Sequence, residues 1–210
     1  MGGNFQPLEQ EETMALMDRV KNILFQPKQE WSVIDPEPAT IGGLYMGYIV
    51  PLAAIGPVAS LIGWSALGMR IPFVGAIRIP IAAGLRMALI QYVGALVSTF
   101  VLALIIDALA PTFGGQKNQI QALKVAAYSA TAAWVAGIFA IIPALAILGI
   151  LGLYSLYLLY LGLPALMKAP QEKAMGYTVV VIVCAIVLAI IVSVVTRQFY
   201  WRPAMGMPSL

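Results

Sequence analysis

Asp107 is the only acid inside a stretch apolar enough to cross a bilayer, and a carboxylate at the centre of a membrane helix costs roughly 2.5–3.5 kcal/mol on insertion scales. It sits near the end of its predicted helix, where that cost falls, and Lys124 opens the next predicted helix on the same side. An ion pair between Asp107 and Lys124 would neutralise both groups and close the loop that joins them. A proton or ion relay is the other use of such a carboxylate. Relays run through further acids deeper in a bundle, and this sequence has none, so structural closure is the favoured reading.

The 210 residues contain no histidine and one cysteine, Cys184, in the middle of an apolar run. Imidazole metal sites, Ser/His or Cys/His catalytic pairs and intrachain disulfides are therefore excluded by count. Phe113-Gly114-Gly115-Gln116 follows Pro111 as a loop, without the strand and helix that would make its glycines a phosphate cradle. No catalytic, cofactor-binding or metal-ligating residue is assigned, and the chain reads as a non-enzyme.

Other spacings point to packing and anchoring. Small residues recur every fourth position in Gly43-x-x-x-Gly47 and in Ser129-x-x-x-Ala133-x-x-x-Gly137, which lets helix backbones approach closely, within one bundle or across a dimer. Tyr154, Tyr157 and Tyr160 recur every third residue and can form an interfacial belt or hydrogen-bond inside the bundle. Trp31 suits the headgroup region, and Arg86 can snorkel from a helix end.

The elements that must position these residues are membrane helices. The chain is 61% apolar and 10% charged, with a mean hydropathy of +0.90, whereas about a quarter of a soluble domain is charged. A crossing helix needs about 20 apolar residues. The uncharged stretches give spans at about 41–67, 81–110, 122–141, 144–165 and 174–196, the third and fourth joined by a tight turn near Pro143. Pro51 and Pro57 predict a kink in the first, tolerable where neighbouring helices or Ser60 satisfy the freed carbonyls. Residues 71–80, with Pro72, Arg78 and Pro80, read as an interfacial loop. The expected fold is all-α: a polytopic bundle of five spans preceded by an amphipathic interfacial helix.

That helix is expected over 14–25, where Leu16, Met17, Val20, Ile23 and Leu24 fall at helical spacing before Pro27. It can lie on the inner leaflet or dock on the bundle's own inner face. Residues 1–40 thus form a polar N-terminal segment, 41–196 the membrane domain and 197–210 a short tail. The acidic opening has no basic-then-apolar pattern, so no cleavable signal peptide is expected. Five spans put the termini on opposite sides. Arg19, Lys21, Lys28, Lys117, Lys124, Lys168 and Lys173 then stand against Arg70, Arg78, Arg86, Arg197 and Arg202, which favours a cytoplasmic N-terminus. The dispersed positive charge suits anionic lipid and excludes nucleic acid as a partner.

Asp107-Ala-Leu-Ala-Pro-Thr-Phe-Gly-Gly, Gln121-Ala-Leu-Lys-Val-Ala-Ala-Tyr-Ser and Tyr154-Ser-Leu-Tyr-Leu-Leu-Tyr-Leu-Gly-Leu-Pro, in that order, resemble the Yip1 family of five-span membrane proteins. The opening Val20-Lys-Asn-Ile-Leu-Phe-Gln-Pro-Lys-Gln-Glu-Trp resembles the lead-in of its bacterial branch, and the resemblance covers roughly residues 14–196. Ala130-Thr131-Ala132 stands where family members often have a proline after Tyr-Ser, so a proline kink there is not expected. The resemblance implies a multi-pass protein of the bacterial inner membrane without established catalytic residues. Eukaryotic relatives look to small GTPases through a longer N-terminal region, and that property is not carried over. Two functions are expected: a membrane organiser or accessory subunit that binds lipid, another membrane protein or a second copy of itself, and, as the alternative, a small transporter or channel with a path near Asp107 and Lys124.

Overall fold

A computed structural model describes the backbone of residues 6–71 and 75–200, and the side chains of 14–68 and 78–196. The side chains of Arg70 and Arg197, and the whole of Arg202, lie outside the described part. Helix α1 (Gln6–Phe25) starts eight residues earlier than its apolar pattern requires, and α2 (Pro27–Ile34) begins on a proline, whose missing N–H costs nothing at a first helical position. Five membrane-length helices follow: α3 (Ile41–Leu67), α4 (Ile81–Phe113), α5 (Gln119–Ile141), α6 (Pro143–Met167) and α7 (Gln171–Tyr200).

The bundle is built around α5. Half of its most apolar window is buried, against 11% in α6 and in α7. It touches α3, α4 and α6 along their lengths. The aliphatic residues left outside, such as Leu89, Val93 and Val97 of α4 and Ile186 and Ile190 of α7, are exposed where lipid chains would lie. The α3–α4 connection, expected as an interfacial loop, contains a short antiparallel hairpin of β1 (Met69–Ile71) and β2 (Gly75–Ile77). It lies at the end of the bundle opposite α1 and α2.

Irregular turns fall where the sequence forces them. The helical ladder of α3 breaks at Ala54, three residues before Pro57, and the Tyr92 hydroxyl of α4 donates to the Val50 carbonyl at 3.2 Å. The donor at this break thus comes from a neighbouring helix. α5 breaks at Ala130 without a proline: Thr131 turns its hydroxyl back onto the Tyr128 carbonyl at 2.8 Å, a bond that bends helices. The end of α5 from Gly137 and the start of α6 to Leu153 are wound as 3₁₀ turns around Ile142.

α1 does not lie free on a leaflet. Ile23 is fully buried, with Leu16, Val20 and Leu24 packed on the same core, and the Tyr154 hydroxyl of α6 donates to the Leu24 carbonyl at 3.1 Å. The opposite side of α1 leaves Met14, Met17 and Phe25 exposed beside Lys21.

Candidate functional site

Charged residues converge where α2 meets the first turns of α5. Asp35-Pro36-Glu37-Pro38 cannot continue a helix, so α2 stops at Ile34, whose carbonyl takes the Glu37 N–H at 3.3 Å and has room for a second donor. Asn118 starts α5 by accepting from the N–H groups of Ile120 and Gln121, each at 3.1 Å. Lys124 then lies five residues along α5, about 7.5 Å at 1.5 Å per residue. Only 2% of it is exposed. Its ammonium donates to the Ile34 carbonyl at 2.8 Å and the Glu37 carbonyl at 2.5 Å. A cation at a helix C-terminus meets both the orphan carbonyls and the negative end of the helix dipole.

Arg19 of α1 completes the clamp. One arm of its guanidinium pairs with Glu30 and the other with Glu37, both at 2.5 Å, while its plane lies 5.9 Å over the Tyr128 ring. Burial works against the charge, but the Glu37 hydrogen bond and the fields of Glu37 and Glu30 outweigh it, so the Arg19 pKa lies above its ordinary value. Tyr128 meets Tyr48 edge-on at 4.6 Å and Trp31 at 6.3 Å, and the hydroxyls of Tyr48 and Thr131 bond at 2.6 Å. At the rim, Lys168 pairs with Asp35 at 2.5 Å, and Gln121 donates to the Asp35 carbonyl at 2.9 Å. The rim pair is exposed and contributes roughly 0–1 kcal/mol. Leaving one of the buried charges without its partner costs far more, roughly 3–5 kcal/mol.

This arrangement corrects two expectations. Lys124 does not pair with Asp107, because its ammonium is held by the carbonyls of Ile34 and Glu37; the Asp107 Oδ1 is buried without a partner among the described residues, next to Ile106, whose carbonyl accepts from the Tyr177 hydroxyl of α7. Trp31 is not a headgroup anchor: it is 2% exposed, and its ring fills the slot left by Gly162, where a Cβ would come within 2.6 Å of it. Among the described residues no group of three acidic or thiol side chains is arranged to hold a metal ion.

The order of these pieces along the chain is also that of a known domain: the profile of the Yip1 domain matches residues 21–193. The chain belongs to the Yip1 family. No curated protein and no solved structure matches it. The match begins within α1, so the Arg19 clamp straddles its edge, whereas Lys124, Glu30 and Glu37 fall inside the Yip1 domain.

The remaining expected sites divide by position in the Yip1 bundle. Gly137 packs on Gly56, with a Cβ at 137 reaching 2.9 Å from the Gly56 Cα. Ala133 packs on Gly152, and its N–H is bonded by the Ser155 hydroxyl at 3.0 Å. Ser129 is buried with its hydroxyl unpartnered among the described residues. Gly47 has nothing within 4 Å of a would-be Cβ, and Gly43 has only Thr40 Oγ1 at 3.1 Å. That stripe therefore faces outward and packs no neighbouring helix. Tyr154 and Tyr157 lie 5.4 Å apart and are both exposed, Tyr160 is half-buried, and Arg86 is exposed near the start of α4.

Sequence reasoning missed Arg19, Glu30, Asp35 and Glu37. Their signal was the bunching of three acids within eight residues ahead of the first span, opposite the lysines of α5 and α6.

Proposed function

We propose that this Yip1-family membrane protein is a non-enzymatic organiser or accessory subunit that holds lipid or another membrane protein, or a second copy of itself, at the α1 end. The supporting observation is the clamp. Buried charges fix α1 and α2 to the bundle, so Met14, Met17 and Phe25 are held outward beside Lys21 and Lys28. Apolar side chains kept exposed next to cations fit anionic lipid or an amphipathic partner. The basic residues on this side, and the likeness of 20–31 to bacterial members, support a bacterial cytoplasmic membrane with α1 in the cytoplasm.

Purification from the native membrane in nanodiscs, followed by mass spectrometry of what stays bound, tests the reading. A stoichiometric protein or lipid is expected, and a bundle that comes out bare overturns it. One observation keeps the transport reading in view: the Asp107 carboxylate is buried with an unpartnered oxygen. That reading requires a flux in vesicles that Asp107→Asn abolishes in a folded protein.

A further inference from the structure

Beside the clamp, a cleft of about 440 Å³ opens between the start of α3 and the start of α5, lined by Glu37, Thr40, Gly43, Leu44, Lys124 and Tyr128. Its volume falls in the range of about 300–1,000 Å³ usual for small-ligand sites. Each polar group around it keeps unused capacity. Lys124 has three N–H donors and spends two on the carbonyls of Ile34 and Glu37. Glu37 gives Oε1 to Arg19, leaving its other oxygen. Thr40 accepts the Gly43 N–H at 3.0 Å, which leaves its own O–H to donate. The first N–H groups of α3 open at the same place, where a helix start favours an anion.

The charges decide what fits. Arg19, Lys124 and Lys168 face Glu30, Asp35 and Glu37, so the cluster is balanced and an anion alone gains no net attraction. Lys124 keeps one N–H donor and Glu37 one carboxylate oxygen on the lining of the same cleft, beside the Thr40 hydroxyl and the first α3 amides. Such a site matches a ligand carrying one charge of each sign. Tyr128 is the only aromatic lining residue, and Arg19 already covers its ring. There is thus no cage for a quaternary ammonium. A primary ammonium, by contrast, can donate N–H to Glu37.

Above the cleft, α3 offers a track for an acyl chain. Gly43 and Gly47 are exposed, Gly47 with open space before it and Gly43 with only Thr40 Oγ1 at 3.1 Å, and Ile41 and Met46 are exposed beside them. We propose that the cleft binds a phosphatidylethanolamine-type lipid, its phosphate at Lys124, Thr40 and the α3 N-terminus, its ammonium at Glu37, and one acyl chain along the Gly43–Gly47 face. This rests on the organiser reading and names the lipid that it holds.

The test loads the full-length protein from vesicles with equal phosphatidylethanolamine, phosphatidylcholine and phosphatidylglycerol, then counts retained lipids by native mass spectrometry in detergent. Phosphatidylethanolamine should be retained about tenfold over either competitor, a preference of about 1.4 kcal/mol. Glu37→Gln keeps an acceptor for Arg19 but removes the charge, and should abolish the preference over phosphatidylcholine. Gly43→Leu fills the cleft from α3 and should lower retention of every lipid while Glu30, Glu37 and Lys124 stay in place. Unchanged melting of each variant shows that the clamp survives, and a variant that melts early is replaced by Thr40→Asp, which keeps an acceptor for the Gly43 N–H but puts a negative charge in place of the spare O–H and should weaken retention. Equal retention of the three lipids, or a wild-type preference kept by both Glu37→Gln and Gly43→Leu, overturns the proposal. Displacement of the lipid by soluble phosphoethanolamine also overturns it, by making the headgroup alone the ligand. A protein partner from the native membrane would uphold the organiser reading even if this selectivity is absent, so the two fail separately.

Discussion

At the α1 end, Arg19 and Lys124 reach across to Glu30, Glu37 and the open end of α2 through hydrogen bonds between charged groups. At the hairpin end, Gly137 lies on Gly56, and Gly63 lies on the carbonyls of Ala140 and Ile141, backbone against backbone. α5 takes part in both, polar and tyrosine-bearing before Thr131 and built of small residues after it. Lipid removes the hydrophobic drive that pairs helices in water, leaving close packing and polar bonds to hold them together. Polar bonds suit the end where chain segments outside the spans supply carboxylates and carbonyls. Close packing suits the end where only helix surfaces meet.

The largest break in this contrast is Lys124→Met. It strips the cap from α2 and leaves the Glu37 carbonyl without its donor and the Ile34 carbonyl with only the Glu37 N–H, so detergent unfolding should show a loss of about 3 kcal/mol. Trypsin should also cut after Lys21 and Lys28 faster as α1 and α2 come away. Intact resistance at those two lysines would show that apolar packing, not the clamp, holds the N-terminal segment. Gly137→Val acts only at the other end, where it drives α5 away from Gly56 at a cost of about 1–2 kcal/mol; tryptic resistance at Lys21 should not change. Were it to fall, the two ends would be coupled through the bend at Ala130. The smallest effect belongs to Gly47→Ala, which meets open space and should leave stability unchanged or raise it by under about 1 kcal/mol in the same titration. A clear loss there would expose a contact that the monomer does not contain.

The five crossings were legible because each needs only an uncharged run of the right length, and the runs in this chain are separated by Arg, Lys, Asp or proline. The partner of Lys124 was not legible. Asp107 is its nearest acid in sequence, but which way a carboxylate points around α4 is set by the helices packed on it, and Lys124 is taken by the backbone carbonyls of Ile34 and Glu37. Trp31 misled for a related reason: its burial depends on the missing side chain at Gly162, 131 residues away (162 − 31). A stripe of small residues likewise announces close approach without naming the neighbour. Gly137 finds Gly56, while Gly47 finds open space and Gly43 only the Thr40 hydroxyl of its own helix start.

The Lys124 cap has a consequence for the order in which the chain acquires its shape. The groups that it bonds, at Ile34 and Glu37, lie 90 and 87 residues earlier. At a synthesis rate of roughly 5–20 residues per second, α2 and its acids emerge about 4–17 s before the lysine that secures them. For most of that interval the first span is complete while α2 has no cation at its C-terminus. The α1 end is therefore synthesised first but secured only once α5 has begun, and a ribosome stalled between residues 40 and 120 would carry an N-terminal segment that is still undocked.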